Sequence, residues 1–318
     1  MRVLLRLSQR THCLHELILG MPFLQHQGET VGEVGDSTIL DCKKCGFTHV
    51  VPLPSDGELE KFYEKDFYDT EKPDYFKFVE EDIAWWMATY DHYYDLLEKH
   101  TAGRRILDIG SGPGYFLDAG VTRGWDVLGF EPSTAAAQYS ARRGIAVVND
   151  VFSLEKAASF GLFDVVMMNL VLEHIPNPTR FIEEAKQMLT PGGLLCVIVP
   201  NDYNPLQKLL VERHGFNPWW VVPKHHLNYF TIESLKRLLK HHSLAPVETE
   251  TSYPMEFFLL SGRNYVGDPE VGRACHKERK AFETALFAGN KALLQNLYHS
   301  WAKEGIGREV VLIARKED

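Results

Sequence analysis

Cysteine is scarce in this chain, and so is any long apolar run. Five cysteines occur in 318 residues, an odd number, with two of them in Cys42-Lys43-Lys44-Cys45. That usage excludes a disulfide-stapled secreted scaffold and points to a reducing compartment, so a cytoplasmic location is expected. No stretch approaches the roughly 20 consecutive apolar residues of a membrane-spanning helix, and no membrane partner is expected. Met1-Arg2-Val3-Leu4-Leu5-Arg6 interrupts its apolar residues with arginine and lacks the core of a signal peptide. Positive charge is also in deficit: 34 Lys and Arg stand against 43 Asp and Glu, for a net charge of −9. That balance counts against a protein whose affinity rests on neutralising phosphates, and no nucleic-acid partner is expected. Internal repeats are missing too. What remains is an ordinary globular composition, 45% hydrophobic and 24% charged. The chain is long enough for one large domain and an accessory region.

The most informative stretch is Ile106-Leu107-Asp108-Ile109-Gly110-Ser111-Gly112-Pro113-Gly114. A short buried strand with one acid runs into a turn with glycine at every second position. Tyr115-Phe116-Leu117-Asp118-Ala119 then starts an amphipathic helix. Glycines 110, 112 and 114 let backbone approach a ligand closely, because no Cβ fills the space. Between a strand and a helix, such a turn marks a nucleotide-type cofactor site at the carboxyl edge of a parallel sheet. The dinucleotide fingerprint would need glycine at 115, where Tyr115 stands, and no Lys-Ser/Thr pair follows as in a phosphate-cradling loop.

Three more strand ends carry polar residues. Asp126-Val127-Leu128-Gly129-Phe130 ends in Glu131, whose carboxylate can accept two hydrogen bonds from a ribose diol. Val147-Val148-Asn149 ends in Asp150, an acceptor for an adenine amino group. Phe163 to Met168 ends in Asn169. Asn177-Pro178 reads as a helix cap with proline at the first helical position. Phe181, Ile182, Ala185, Met188 and Leu189 then share one face of that helix. Pro191-Gly192-Gly193 stops it, and Leu194 to Val199 is an apolar strand buried on both sides. Thr231 caps a later helix with Ile232, Leu235, Leu238 and Leu239 inward. Residues 268–303 read as further helix, and Glu309 to Ala314 as a last strand.

Taken in order, several blocks resemble class I S-adenosylmethionine-dependent methyltransferases over about residues 105–200. They are Leu107 to Gly114, Gly129-Phe130-Glu131-Pro132-Ser133, Asn149-Asp150-Val151, Phe163 to Val166 through Leu172-Glu173-His174-Ile175, and Leu189 to Leu195. The resemblance implies an α/β fold: a Rossmann-like doubly wound, seven-stranded, mostly parallel sheet, its last strand antiparallel beside the sheet's end. It implies S-adenosyl-L-methionine as cofactor and places Asp108, Gly110, Ser111, Gly112, Gly114 and Tyr115 around its methionine part. Glu131 and Pro132 would hold the ribose, Asp150 and Val151 the adenine, and the backbone of Asn169 and Leu170 would face the methionine end. Read without the resemblance, Asp108 and Asp150 are loop acids. The domain limits expected are an accessory module over 1–56, an aromatic-rich helical lid or linker over 57–104, and a methyltransferase domain over 105–318. Substrate-side insertions are expected at about 201–230 and 262–306.

Methyl transfer from a sulfonium is an in-line displacement, and a hydroxyl or acidic carbon acceptor also needs a base. His174 lies just beyond the strand ending in Asn169, as a base or as a residue that fixes its loop. Its imidazole suits proton transfer near neutrality. Pro218 to Phe230 brings Trp219, Trp220, His225, His226 and Tyr229 into one loop, flat walls with polar tips. Those tryptophans equally serve as anchors to the core. His174, His225, His226 and Tyr229 are the candidate catalytic residues. Arg263, Asn264 and Tyr265, after another apolar strand, are further pocket candidates. The aromatic segment from Tyr63 to Tyr94 offers Tyr63 and Tyr75 as cation–π partners or, equally, helix packing against the sheet.

Cys42-Lys43-Lys44-Cys45-Gly46 has the spacing of a zinc knuckle and needs two more ligands. Cys13 and His15 are the expected completion, with His12, His26 and His49 as further options. The stretch from Cys42 to Tyr68 resembles the accessory segment of a bacterial methyltransferase subgroup whose zinc-binding head bears two Cys-x-x-Cys pairs. Here the first pair is reduced to Cys13, with Glu16 in its partner's place. Cys196 reads as core packing and Cys275 has no evident role. The reading is an enzyme that methylates oxygen or carbon, less readily nitrogen, of a small-molecule or sugar/glycan-type metabolite, with a possible structural zinc. The alternatives are an NAD(P)-dependent Rossmann oxidoreductase and a methyltransferase-like binding protein without turnover.

Overall fold

Short apolar runs separated by glycine turns sort into two sheets in this computed structural model, which describes residues 26–53, 75–224 and 226–317. The smaller is a ribbon. Strands β1 (Gly28–Val34), β2 (Ser37–Cys42) and β3 (Phe47–Val51) form an antiparallel meander. A distant two-residue strand, β9 (Asn228–Tyr229), completes it by pairing antiparallel with β3. The ribbon is therefore not confined to the N-terminal segment: its fourth strand comes from the stretch that follows β8 (Leu189–Pro200) in the chain.

The larger sheet holds the other seven strands. In chain order they are β4 (Arg105–Ile109), β5 (Asp126–Phe130), β6 (Val147–Val148), β7 (Phe163–Asn169), β8 (Leu189–Pro200), β10 (Leu244–Thr251) and β11 (Glu309–Lys316). They lie in the order β10-β11-β8-β7-β4-β5-β6. β4 to β8 run parallel, and β11 is antiparallel to both neighbours, β8 and β10. The chain moves outward from β4 through β5 and β6, then returns to β7 on the other side of β4. That reversal opens a crevice at the carboxyl edge, where ligands bind in such sheets.

Helices cover both faces, and the chain's helices include α1 (Tyr75–Glu81), α4 (Thr134–Arg142), α5 (Leu154–Ala157) and α7 (Pro205–His214). On one face, α2 (Ile83–His100) and α3 (Tyr115–Thr122) pack Tyr94, Leu97, Phe116 and Leu117 on Ile106 and Val165. On the other, α6 (Pro178–Gln187) and α8 (Ile232–His241) pack Ile182, Ala185, Leu235 and Leu239 on Val166, Leu195 and Leu312. Both caps expected from the sequence are present. The Asn177 side chain accepts from the Arg180 N–H at 3.1 Å, and the Thr231 hydroxyl accepts from the Ser234 N–H at 3.1 Å. Cys196 is buried in β8, as core packing requires.

The last strand is inserted antiparallel beside the end strand β10, as expected. Three local expectations need correction. Pro191-Gly192-Gly193 lies inside β8, because Leu189 pairs with Phe163 while Leu194 pairs with Val165, so the extra residues bulge within the strand. The apolar run before Arg263 is a helix, α9 (Glu256–Leu260), since four consecutive apolar residues carry no periodicity that separates helix from strand. The helix over 268–303 is two, α10 (Pro269–Gly289) and α11 (Lys291–Lys303). Asn290 interrupts it and caps the second half.

The aromatics of α2 are packing residues. Tyr94 stacks on Phe116 with centroids 4.6 Å apart, and the Trp85 indole N–H donates to Glu283 at 2.9 Å. Tyr63 and the side chain of Tyr75 lie outside the described residues.

Candidate active site and metal centre

The glycine turn after β4 is tied to the end of β5. The Gly110 and Ser111 N–H groups both donate to the Phe130 carbonyl, at 2.8 and 3.1 Å. Gly110 has φ +75°, and a Cβ there would stand 2.6 Å from Cγ2 of Val171. Only glycine fits that backbone and that space. Glu131 follows β5 and is 5% exposed. Its carboxylate accepts from the Gly112 N–H and the Ser133 N–H, both at 2.8 Å. Burial nevertheless pushes the Glu131 carboxyl up to about 7, against the lowering by those two donors. Asp108 is buried beneath the turn; burial first, and the charge of Glu131 second, hold its carboxyl well above the usual range.

Glu131 and Asp150 end adjacent strands. Phe130 pairs with Val148, and the Glu131 N–H donates to the Val148 carbonyl at 3.0 Å. Neighbouring strands lie about 4.8 Å apart, so the backbones that carry the two carboxylates end side by side at one edge of the sheet. Asp150 is the more open of the two. Lys156 at 2.6 Å and the Val151 N–H at 2.8 Å hold its carboxyl below the ordinary value.

Two large apolar side chains are exposed at this edge, Val151 and Leu170, at 40% and 37%. Leu170 follows Asn169 at the end of β7 with φ +57°. Pro132 lies beside Glu131, and its carbonyl accepts from the Asn149 amide at 3.1 Å. The side chain of Tyr115 turns into helix packing. Its hydroxyl meets that of Tyr139 at 2.6 Å, and the Arg143 guanidinium lies 4.0 Å from its ring centroid.

Beyond β7, Leu172–His174 make a single 3₁₀ turn. His174 Nε2 lies 3.6 Å from a carboxylate oxygen of Glu173, and the His174 and His226 rings meet edge to face with centroids 5.1 Å apart. The Leu227 N–H donates to the Glu173 carbonyl at 2.8 Å. The Asn228 side-chain amide donates to the carbonyls of Leu172 at 3.2 Å and Ile175 at 2.7 Å. His174 and His226 are thus brought together. His225 lies outside the described residues. The ring of Tyr229 is committed to packing, buried with Ile39, Val50 and Trp220 under the ribbon.

Two groups had escaped sequence reading. Glu173, one residue before His174, joins the imidazole pair; the Glu-His dipeptide was its only signal. Asp202, just after β8, is buried near Glu256, and burial with that neighbour's charge pushes its carboxyl up to about 8.

The ribbon gathers His26, Cys42, Cys45 and His49, with one donor atom from each within 4.8 Å of the others. The pairing of Gly28 with Cys42 and of Leu40 with His49 brings the two histidines to the cysteines. Nδ1 of His26 lies 3.6 Å from the Cys42 sulfur and 3.3 Å from the Cys45 sulfur. A tetrahedral zinc site has an S···N edge of about 3.6 Å, from its Zn–S and Zn–N bond lengths. Nδ1 of His49 is 3.0 Å from the Val50 carbonyl, which fixes Nδ1 as donor and leaves the buried Nε2 with a free lone pair. The Cys45 N–H points at the Cys42 sulfur at 3.5 Å, and Gly46, at φ +78°, makes the turn that permits it. The donor set therefore fits zinc. Cys13 and His15, the expected completion, lie outside the described residues.

A sequence profile of the methyltransferase-domain family matches residues 75–249, more than half of the chain, and the chain belongs to that family. Its seven-stranded sheet is the class I S-adenosylmethionine-dependent methyltransferase fold. Among characterised proteins it is similar to the ubiquinone biosynthesis O-methyltransferase of Psychrobacter arcticus, 30% identical over 135 residues that cover 40% of this chain and 52% of that one. The protein of the same description from Caulobacter sp. is 28% identical over 171 residues, covering 51% and 66%. The chain spans about half the length of the curated relatives it matches. A solved structure with the same fold is the Burkholderia thailandensis 1,6-didemethyltoxoflavin-N1-methyltransferase, with 1,6-didemethyltoxoflavin and S-adenosylhomocysteine bound. Its TM-score is 0.51 at 17% identity, covering 92% of this chain and all of that one.

Proposed function

We propose that the protein transfers a methyl group from S-adenosyl-L-methionine to an oxygen of a small-molecule metabolite, with sugar-type and carbon acceptors within the same reading. The observation that carries it is Glu131, a buried carboxylate at the tip of β5, facing the glycine turn and one strand from Asp150. Glu131 accepts the ribose hydroxyls, Asp150 the adenine amino group, and exposed Val151 gives the ring an apolar wall. The turn from Gly110 to Gly114 leaves room for the methionine part, and the buried acids favour its positive charges. When bound, the cofactor supplies a methyl group already activated by a sulfonium.

What the chain adds is alignment, worth up to roughly 7–11 kcal/mol in favourable cases. An acceptor hydroxyl must also lose its proton, a step typically worth about 10²–10⁴-fold when assisted. Glu173, His174 and His226 are the groups placed to promote it. The O-methyltransferase names of the relatives support oxygen as the acceptor atom.

His26, Cys42, Cys45 and His49 would hold a structural zinc, four protein ligands closing the site as in the zinc-headed bacterial subgroup. Free thiols in that role suit a reducing cytoplasm. One zinc per chain is expected to survive dialysis, to be lost in Cys42→Ser, and to persist in Cys196→Ser.

Calorimetry with S-adenosylhomocysteine and with NAD tests the central reading. Saturable binding of the former, weakened at least about a hundredfold by Glu131→Ala, is expected. Binding of NAD alone would replace the methyltransferase with an oxidoreductase.

A further inference from the structure

We propose that Glu173, His174 and His226 form a second, open cation site, holding a divalent first-row metal ion on which the methyl acceptor docks through two neighbouring oxygens. The proposal rests on the methyl-transfer reading for what the ion does, but not for whether it binds.

One donor atom from each of the three lies within 4.8 Å of the other two, the span expected of ligands sharing one ion. Two imidazoles and a carboxylate suit manganese, iron, cobalt or zinc better than magnesium or calcium, which favour all-oxygen sets. The donors come from two segments that backbone bonds hold in place before any ion arrives. The Leu227 N–H to the Glu173 carbonyl joins the segments directly, at 2.8 Å. The Asn228 amide, bonded to the carbonyls on either side of Glu173-His174, fixes the turn itself. Binding therefore costs little ordering.

The site differs from the ribbon's in offering three protein ligands instead of four. Side-chain exposure is 1% for Glu173 but 15% for His174, and His226 is likewise only partly buried. Three protein ligands, two of them only partly buried, leave coordination positions free, the arrangement of reactive rather than structural metal sites. Two adjacent free positions take a vicinal diol, an ortho-diphenol or a hydroxy acid.

An ion there lowers the pKa of a hydroxyl it binds, as it does for water. The acceptor's proton then passes to solvent. The oxygen lone pair forms the new C–O bond while the C–S bond breaks with its electron pair left on sulfur, turning the sulfonium into a neutral thioether. The location fits that geometry, because the 3₁₀ turn directly follows the β7 end that faces the methionine part of the cofactor.

The test uses the full chain, its ribbon zinc retained, titrated with Mn²⁺ and read by electron paramagnetic resonance and water-proton relaxation. One bound Mn²⁺ per chain is expected. Glu173→Gln and His226→Ala should each weaken it at least tenfold while S-adenosylhomocysteine affinity stays within twofold, which also shows that the variants fold. Catechol should lower the relaxation enhancement by displacing bound water, and phenol should not. Mn²⁺ affinity unchanged in both variants overturns the site, as does weakening only in variants that also lose S-adenosylhomocysteine. Equal effects of catechol and phenol overturn the chelating acceptor. Mn²⁺ bound by a wild-type chain that does not bind S-adenosylhomocysteine sinks the methyl-transfer reading and leaves the ion site standing.

Discussion

The half of the sheet edge proposed to hold adenosine and the half proposed to take the acceptor are built in opposite ways. The first comes from one contiguous stretch, residues 108–151, in which three parallel strands deliver a glycine turn and two carboxylates to a common edge. The second is assembled from the turn after β7, the segment after β8 and the loop that runs into β9, which meet only in the folded chain. A half made of consecutive strand ends places its ligands by the sheet's own geometry. A half made of loops needs added fasteners, and Asn228 and Leu227 provide them.

Substitutions should separate the halves by what they change. Glu131→Ala removes a carboxylate that would accept two charge-assisted hydrogen bonds, at about 1.5–3 kcal/mol each. S-adenosylhomocysteine affinity should fall about 10²–10⁴-fold by calorimetry. His174→Gln should do the reverse, leaving that affinity within twofold and cutting turnover by about 10²–10⁴-fold. Equal turnover in the two proteins would remove His174 from the reaction.

A control lies away from the cleft. Arg279 and Glu283 are both buried and joined at 3.1 Å, and Glu283 also accepts from Trp85 and Tyr298. Glu283→Ala strands the guanidinium and should cost about 3–5 kcal/mol in denaturant unfolding, with cofactor affinity of the folded protein unchanged.

A smaller effect comes from pH. Glu131 titrates at about 7 in the folded protein, above its ordinary 4.5. Its contribution to stability is full below pH 4.5 and is lost as pH rises through about 7. Cofactor affinity runs the other way, since the ribose needs the carboxylate. It should weaken up to about tenfold per unit below pH 7, and Glu131→Gln should flatten that slope. Smallest is Tyr115→Phe. Losing the Tyr139 contact should cost about 1 kcal/mol of stability and leave affinity within twofold.

The same contrast explains what could be read from the chain alone. Asp108, the glycine turn, Glu131 and Asp150 are legible because strand, turn and helix follow each other and each residue's place is set by its neighbours. The Asn177 and Thr231 caps are local in the same sense. His26 and His49 were only options beside Cys42 and Cys45, because the register that unites them belongs to a three-stranded meander. Glu173 and His226 are 53 positions apart and meet through a two-residue strand too short to announce itself. The bulge at Pro191-Gly192-Gly193 misled for a related reason: its residues favour a break, and only pairing with β7 keeps them in a strand.

The pairing of β3 with β9 also sets how the protein can be taken apart. Because the head borrows its outer strand from the body, no single cut in the backbone separates the two. A chimaera that exchanges residues 26–53 with a relative's head would have to carry the matching 226–230 segment, or lose the fasteners around Glu173 along with the graft. Heads and acceptor loops should therefore change together as such enzymes diversify, while the adenosine half stays as it is.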